Sequence, residues 1–326
     1  TDKLKIAFYW AASCGGCEIA VLDINEKVLD VLQIADIVFW PVAMDIKYKD
    51  VENMPDKYID VCFFNGGIRN SEQEHLAKLL RQKSKILIAY GACAHLGGVP
   101  GLANIANKKE IFETAYFRTF STANPDKITP KTNVRVEEGE VDIPEFYDTV
   151  KTLDQTVEVD YYVPGCPPAV ERTLFAVDAI AKGELPPKGS VLAPLKSVCD
   201  ECPRKRENKK ISKIYRIYEK APEPEKCLLE QGIICMGPAT RGGCGGARCL
   251  KADMPCTGCG GPCPNSPEQG AAMISALASI LGLEEEKENY TEEEVEKLIS
   301  QINDPLGTFY MYALPASILR KKVMKK

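Results

Sequence analysis

At 326 residues, with 45% hydrophobic and 27% charged side chains, the chain is long enough for two domains of ordinary soluble composition. Forty-one basic against 46 acidic residues leave a net charge of −5, which argues against nucleic-acid binding, and no apolar run reaches membrane-spanning length. The opening TDKLKIAFYW lacks the build of a signal peptide and carries no twin-arginine stretch, so a cytoplasmic protein is expected; 14 cysteines then point to metal or redox chemistry rather than disulfides.

Taken in order, KLKIAFYW reads as a strand and CEIAVLDINEKVLDVLQIA as a helix, with Ile19, Leu22, Val28, Leu29 and Leu32 at helical spacing. ADIVFWPV and IDVCFFNGG are the next two strands. SEQEHLAKLLRQK is a helix in which Ser71 and Glu74 stand at capping-box spacing. KILIAYGAC is a fourth strand, and VDYYVPGC a fifth that leads into a helix from about Pro168 to Lys182. Strands alternating with helices predict an α/β fold with a doubly wound parallel sheet over residues 1–190. Polar, turn-rich residues 104–158 interrupt the pattern and read as an insertion over the site. The stretch GELPPKGSVLAPLKS marks a boundary near residue 190. Residues 191–265 are rich in glycine, proline and cysteine and poor in apolar side chains, so they are expected to fold only around metal. Residues 266–326 hold two helical patterns: SPEQGAAMISALASILGL, small and apolar, and YTEEEVEKLISQI, with Thr291 as its cap. The apolar PLGTFYMYALPASILRKK reads as core, with contact to another subunit as the alternative.

The cysteines divide in two. Cys14 and Cys17 follow the first strand, Cys93 ends the fourth, and Cys166 ends the fifth. Ligands of open parallel sheets bind at the carboxyl ends of strands, so these four are expected to converge. Gly15, Gly16, Gly91 and Gly165 beside them let the backbone approach a bulky group. Four thiolates suit a 4Fe–4S cluster or a tetrahedral zinc, and CGGC taken alone also fits a thioredoxin-like pair. Cys62 reads as a buried thiol, His75 as solvated, and His95 as packed near the site or touching it. Asn65, Gly66 and Gly67 end the third strand at the same edge. Nine further cysteines, at 199, 202, 227, 235, 244, 249, 256, 259 and 263, suffice for two four-cysteine sites with one to spare. The basic run Arg204, Lys205, Arg206, Lys209 and Lys210 reads as a solvated loop, with docking of an acidic partner as the alternative. There is no carboxylate pair, nucleophile triad or phosphate-cradling loop, so no catalytic residue is expected.

With C-x-x-C-E at Cys14 to Glu18, GAC at Cys93 and PGCPP at Cys166, the chain resembles the small subunit of nickel–iron hydrogenases. CLLEQGIICMGPATRGGCGGARC is similar to the cytoplasmic group of coenzyme-reducing hydrogenases and sulfhydrogenases. The resemblance is greatest to gamma subunits of the methyl-viologen-reducing, deazaflavin-non-reducing branch coupled to heterodisulfide reductase. It implies a flavodoxin-like domain with a proximal 4Fe–4S cluster on Cys14, Cys17, Cys93 and Cys166, then a ferredoxin-like domain with two more clusters. It also implies a large subunit that carries the nickel–iron centre. Electrons from hydrogen oxidation would pass to a small iron–sulfur subunit and on to the heterodisulfide reductase complex, with no nucleic acid and no membrane involved. Two-cluster ferredoxins send the fourth cysteine of each run to the other run's cluster. Applied to this tail, that rule groups Cys199, Cys202, Cys227 and Cys259 in one site and Cys235, Cys244, Cys249 and Cys256 in the other. Cys263 is then spare, as in the related tails; a literal reading of CTGCGGPCP would make it a ligand instead. Many relatives carry an acidic residue after the third strand, where this chain has Asn65. The homologous subunit of complex I is the nearest rival family, but it has tandem cysteines in its first motif and no such tail. A zinc-stapled scaffold is the reading from another class.

Overall fold

The computed structural model describes residues 3–281 and 291–322. β-Branched and aromatic runs form five strands: β1 (Leu4–Trp10), β2 (Ala35–Phe39), β3 (Ile59–Asn65), β4 (Ser84–Tyr90) and β5 (Tyr161–Val163). All pair in parallel, in the order 2-1-3-4-5 of flavodoxin-like folds. Alternate residues face opposite layers, as a strand's period of two demands. Ala7, Tyr9, Phe64, Leu87 and Ala89 pack on one side with Leu76 and Leu80 of helix Ser71–Lys83. Ile6, Phe8, Phe63, Ile88 and Tyr90 pack on the other with Val21 and Ala176. Each face is dry, so the sheet needs no ligand to hold its layers together.

Two local expectations are corrected. The long first helix is two, Gly16–Leu22 and Lys27–Ile34, broken where Asn25 takes a left-handed backbone at φ 56°. The helix after β3 is capped one residue earlier than expected. Asn70 Oδ1 accepts the Gln73 N–H at 2.8 Å while Gln73 Oε1 accepts the Asn70 N–H at 3.3 Å, and Ser71 is already helical. In the insertion, strand Phe146–Lys151 pairs antiparallel with Ile68–Asn70, and the hairpin of Asn133–Val136 and Gly139–Asp142 is exposed throughout.

Past the helix Val170–Lys182 the chain runs back along β5: the Leu192 N–H reaches the Tyr162 carbonyl at 2.8 Å, and Tyr162 and Val191 form a parallel bridge. Residues 197–264 are turns and isolated bridges with three single-turn 3-10 helices, Cys199–Glu201, Leu229–Gln231 and Gly237–Ala239, and one short α-helix, Arg248–Lys251. They do have an apolar core, contrary to expectation. Val198, Leu228, Leu229, Ile233 and Met236 pack against Met273 and Leu277 of helix Gln269–Ile280 and against Phe309, Tyr310 and Leu314. The boundary expected at 265 therefore cuts through one core: the later helices supply the wall that the cysteine-rich turns lack. Gly270 shows how close the fit is, because a Cβ there would stand 2.3 Å from the Tyr310 ring. Thr291 caps helix Glu292–Ile299 as expected, accepting the Glu294 N–H at 3.3 Å. The end of the first helical pattern and the start of the second lie outside the described residues. Among the described residues no helix is long and apolar enough to cross a membrane.

Candidate metal centres

The loop after β1 is held by the end of β3. The Ala11 N–H donates to the Asn65 carbonyl at 2.8 Å, and Ala12 and Gly67 exchange two bonds at 3.0 Å. Asn65 is buried; its amide oxygen accepts from Ser13 Oγ at 2.9 Å and its amide nitrogen donates to Glu18, which also accepts from the Trp40 indole. Burial raises the Glu18 pKa, while the Trp40 and Asn65 bonds pull it down. Asn65 thus orients the whole Cys14–Glu18 loop. The sequence marked its position, but the role depends on partners 47 and 52 residues away.

That loop places Cys14 and Cys17 beside Cys93 and Cys166, close enough that the other three thiols add to burial in raising the Cys17 pKa. Burial, then the Cys166 and Cys14 thiols, push Cys93 up to about 12; burial, then Cys259 and Cys14, push Cys166 up to about 11. Cys17 is driven higher still, first by burial. Such thiols give up their protons only to a compensating cation. Glycine makes the space: a Cβ on Gly91 would lie 2.4 Å from Cys17 Sγ, and one on Gly98 2.4 Å from Cys93 Sγ.

The tail cysteines form two further groups, and not the groups the ferredoxin rule predicts. A cavity of about 420 Å³ is lined by Cys199, Cys202, Cys227 and Cys235. Another, of about 260 Å³, is lined by Cys244, Cys249, Cys256 and Cys259, with Cys166 at its edge. Cys235 and Cys259 have exchanged places relative to expectation. The reason is local folding: the Met236 N–H bonds the Cys256 carbonyl at 2.9 Å, and Arg241 donates to the Gly261 carbonyl at 3.0 Å. These contacts lay the CTGCGG turn along residues 236–241, with Cys259 facing the cavity of Cys244 and Cys249 and Cys235 facing the other. Burial pushes Cys199 up to about 12 and Cys235 up to about 11, and burial also raises Cys256 and Cys259.

The three groups stand in a row. Cys166 lines the cavity of the second group beside Cys259, joining the first group to the second. The Cys256 N–H reaches Cys235 Sγ at 3.4 Å, joining the second to the third. Cys263 lies outside both tail cavities, its thiol donating to the Pro238 carbonyl at 3.3 Å with Arg241 and Asp200 nearby. Cys62 is fully buried in the sheet. His95 stacks on Tyr162 with ring centres 4.6 Å apart, and His75 lies exposed beside Glu52. Arg204 is not solvated: it donates to the carbonyls of Leu250, Glu223 and Lys226 and pairs with Asp253. Among the described residues, no three His, Cys, Asp or Glu side chains close on a point as a single metal ion requires.

Residues 14–180, the span from Cys14 past Cys166, match the family model of the NADH ubiquinone oxidoreductase 20 kDa subunit. The chain is 44% identical to the iron-sulfur subunit of the F420-non-reducing hydrogenase of Archaeoglobus profundus, over 99% of both chains. It belongs to this family of hydrogenase subunits. Identity to the corresponding subunit of the F420-non-reducing hydrogenase of Methanothermobacter marburgensis is 39%, over 100% of this chain and 99% of that one. The expected family is therefore the right one. The complex I relationship covers the flavodoxin-like part, whereas the hydrogenase relatives extend through the tail. A solved NAD+-reducing NiFe-hydrogenase chain aligns at TM-score 0.48 and 26% identity, over 56% of this chain and 93% of its own.

Proposed function

We propose that this hydrogenase subunit is an electron conduit that holds three 4Fe–4S clusters in a row, working in the cytoplasm. The first sits on Cys14, Cys17, Cys93 and Cys166; the second on Cys244, Cys249, Cys256 and Cys259; the third on Cys199, Cys202, Cys227 and Cys235. The observation that carries this reading is a pair of junctions that chain the three thiol quartets together: Cys166 lines the cavity of the second quartet beside Cys259, and the Cys256 N–H reaches Cys235 Sγ at 3.4 Å.

The residues fit the group. The two tail quartets line cavities of about 420 and 260 Å³, room for a cubane, and at the first quartet glycine leaves space beside the sulfurs of Cys17 and Cys93 where a Cβ would intrude. Clusters there would supply one-electron carriers; the chain's part is to fix the carriers and keep water from them. Cys14 is exposed, and so are the large apolar Trp10 at the end of β1 and Ile19 and Leu22 on the helix that follows Cys14, a face suited to the large subunit that would hold the nickel–iron centre. At the other end, Arg206, Lys209 and Lys210 rim the third quartet, on the side where a small iron–sulfur subunit and the heterodisulfide reductase complex would receive electrons.

Iron and acid-labile sulfide in the anaerobically purified complex test the reading. About twelve irons and twelve sulfides per chain are expected, from three clusters of four. Cys166→Ala should lose about four of each and stop hydrogen-dependent dye reduction. Zinc in place of iron, or full iron content in the Cys166 variant, would overturn it.

A further inference from the structure

One charged side chain stands between the first and second quartets. Arg172, in the first turn of helix Val170–Lys182, is only 2% exposed. Its guanidinium donates to three neutral carbonyls: Pro164 at 3.0 Å, in the turn that presents Cys166, and Arg241 and Gly242 at 2.8 and 2.7 Å. Its Nε is buried with no hydrogen-bond partner. Glycine clears the space, since a Cβ on Gly260 would lie 2.8 Å from one of its terminal nitrogens.

A buried guanidinium without a matching anion is strongly disfavoured. The carboxylate of Glu201 is engaged elsewhere, with Lys196 at 3.1 Å and the Gly243 N–H at 2.8 Å. Its neighbour Glu171 pairs instead with Arg248 at 2.8 Å. Arg172 lines the same cavity of about 260 Å³ as Cys244, Cys249, Cys256 and Cys259. A strut linking carbonyls needs donors but no charge. Charge is explained only if the cavity beside it holds an anion.

We propose that Arg172 is a fixed counter-charge to the thiolate-bound cluster of the second quartet and raises that cluster's reduction potential. This rests on the three-cluster reading. When one electron leaves the first site and enters the second, the added negative charge lies next to a cation that keeps its proton in both states. The reduced form is stabilised relative to the oxidised form, and the second carrier becomes the favoured resting place between its neighbours. Arg172 is a positioning residue of the electron path; it touches no substrate.

The test is a redox titration of the assembled hydrogenase complex followed by paramagnetic resonance, with iron analysis, for Arg172→Gln and Arg172→Lys. With all twelve or so irons retained, Arg172→Gln should shift one cluster's reduction equilibrium about tenfold toward the oxidised form, a fall of about 59 mV for a one-electron couple. The other two potentials should stay put, and Arg172→Lys should recover most of the change. An unchanged potential in an iron-replete Gln variant overturns the proposal. So does loss of the second cluster in both variants, which would show that the carbonyl bonds matter and the charge does not. Cys259→Ser with unchanged iron and spectrum would instead overturn the underlying assignment, independently of Arg172.

Discussion

The two halves of this chain solve the same problem in opposite ways. In the flavodoxin-like half, two apolar layers cover both faces of a five-stranded sheet; of the site cysteines Cys17 joins one of these layers, while Cys14, Cys93 and Cys166 sit at the strand ends outside them. In the tail, buried Cys235 and Cys256 are part of the core itself, and Cys202, Cys227 and Cys244 pack against it. A rim can lose its ligand without losing its support; a wall cannot. The first site is thus an addition to a finished fold, whereas the tail sites complete theirs.

Removing the iron should expose this difference most strongly. In iron-free full-length protein, amide hydrogens of β1, β3 and β4 should stay protected while those of residues 199–263 exchange many-fold faster, because metal binding there is folding free energy. Equal protection in both halves would break the comparison. The core shared with helix Gln269–Ile280 is the feature most able to blunt the effect.

A smaller effect belongs to the sheet alone. Asp160 is buried at the start of β5, where it accepts the Leu87 N–H at 2.8 Å and pairs with Arg81 at 2.5 Å and Lys188 at 2.6 Å. Burial pushes its pKa up, but the Lys188, Arg81 and Leu87 contacts together hold it below the usual aspartate value. A depressed carboxyl stabilises the fold at pH values above its unfolded pKa of about 4 and loses that contribution as pH falls through the folded value. Asp160→Asn should therefore cost about 2 kcal/mol at pH 7, less than a fully buried pair because Lys188 is solvated. The difference from wild type should shrink in urea melts near pH 3. Iron content should not change, which sharpens the claim that this half stands without its site.

The smallest effect is expected at the ninth tail cysteine. Cys263→Ser should leave iron content and all three resonance signals intact, with stability within about 0.5 kcal/mol of wild type. Loss of one signal would place Cys263 in the wall after all.

The sequence was most legible where local pattern and chemistry agree. Alternating apolar strands located the sheet, and cysteines at three strand ends located the first site. It was least legible where distant segments decide. Nothing between residues 199 and 263 shows that Met273, Leu277, Phe309 and Leu314 complete the tail's core. Cysteine spacing allowed a swapped partition, whereas the folded chain lines one cavity with Cys199, Cys202, Cys227 and Cys235 and another with Cys244, Cys249, Cys256 and Cys259. Asn70 and Ser71 are adjacent residues that both cap well, so pattern alone could not choose between them. Arg172 hides best of all, since an arginine in the first turn of an amphipathic helix reads as solvent-facing until the neighbouring chain covers it.

The strap that joins the halves has its own consequence. Residues 190–192 lie along the edge of β5, with Tyr162 donating to the Ser190 carbonyl at 3.2 Å and accepting from Leu192. The far end of the chain clasps the same side, where the Gly98 N–H meets the Tyr312 carbonyl at 3.0 Å and Gln155 meets the Pro315 carbonyl at 2.8 Å. A connection made of ladder bonds at one end and a clasp at the other leaves no pivot. Whatever the first two cysteine groups hold, the gap between them is then a fixed length, the same in every collision with a partner, and transfer across it needs no swinging arm to wait for.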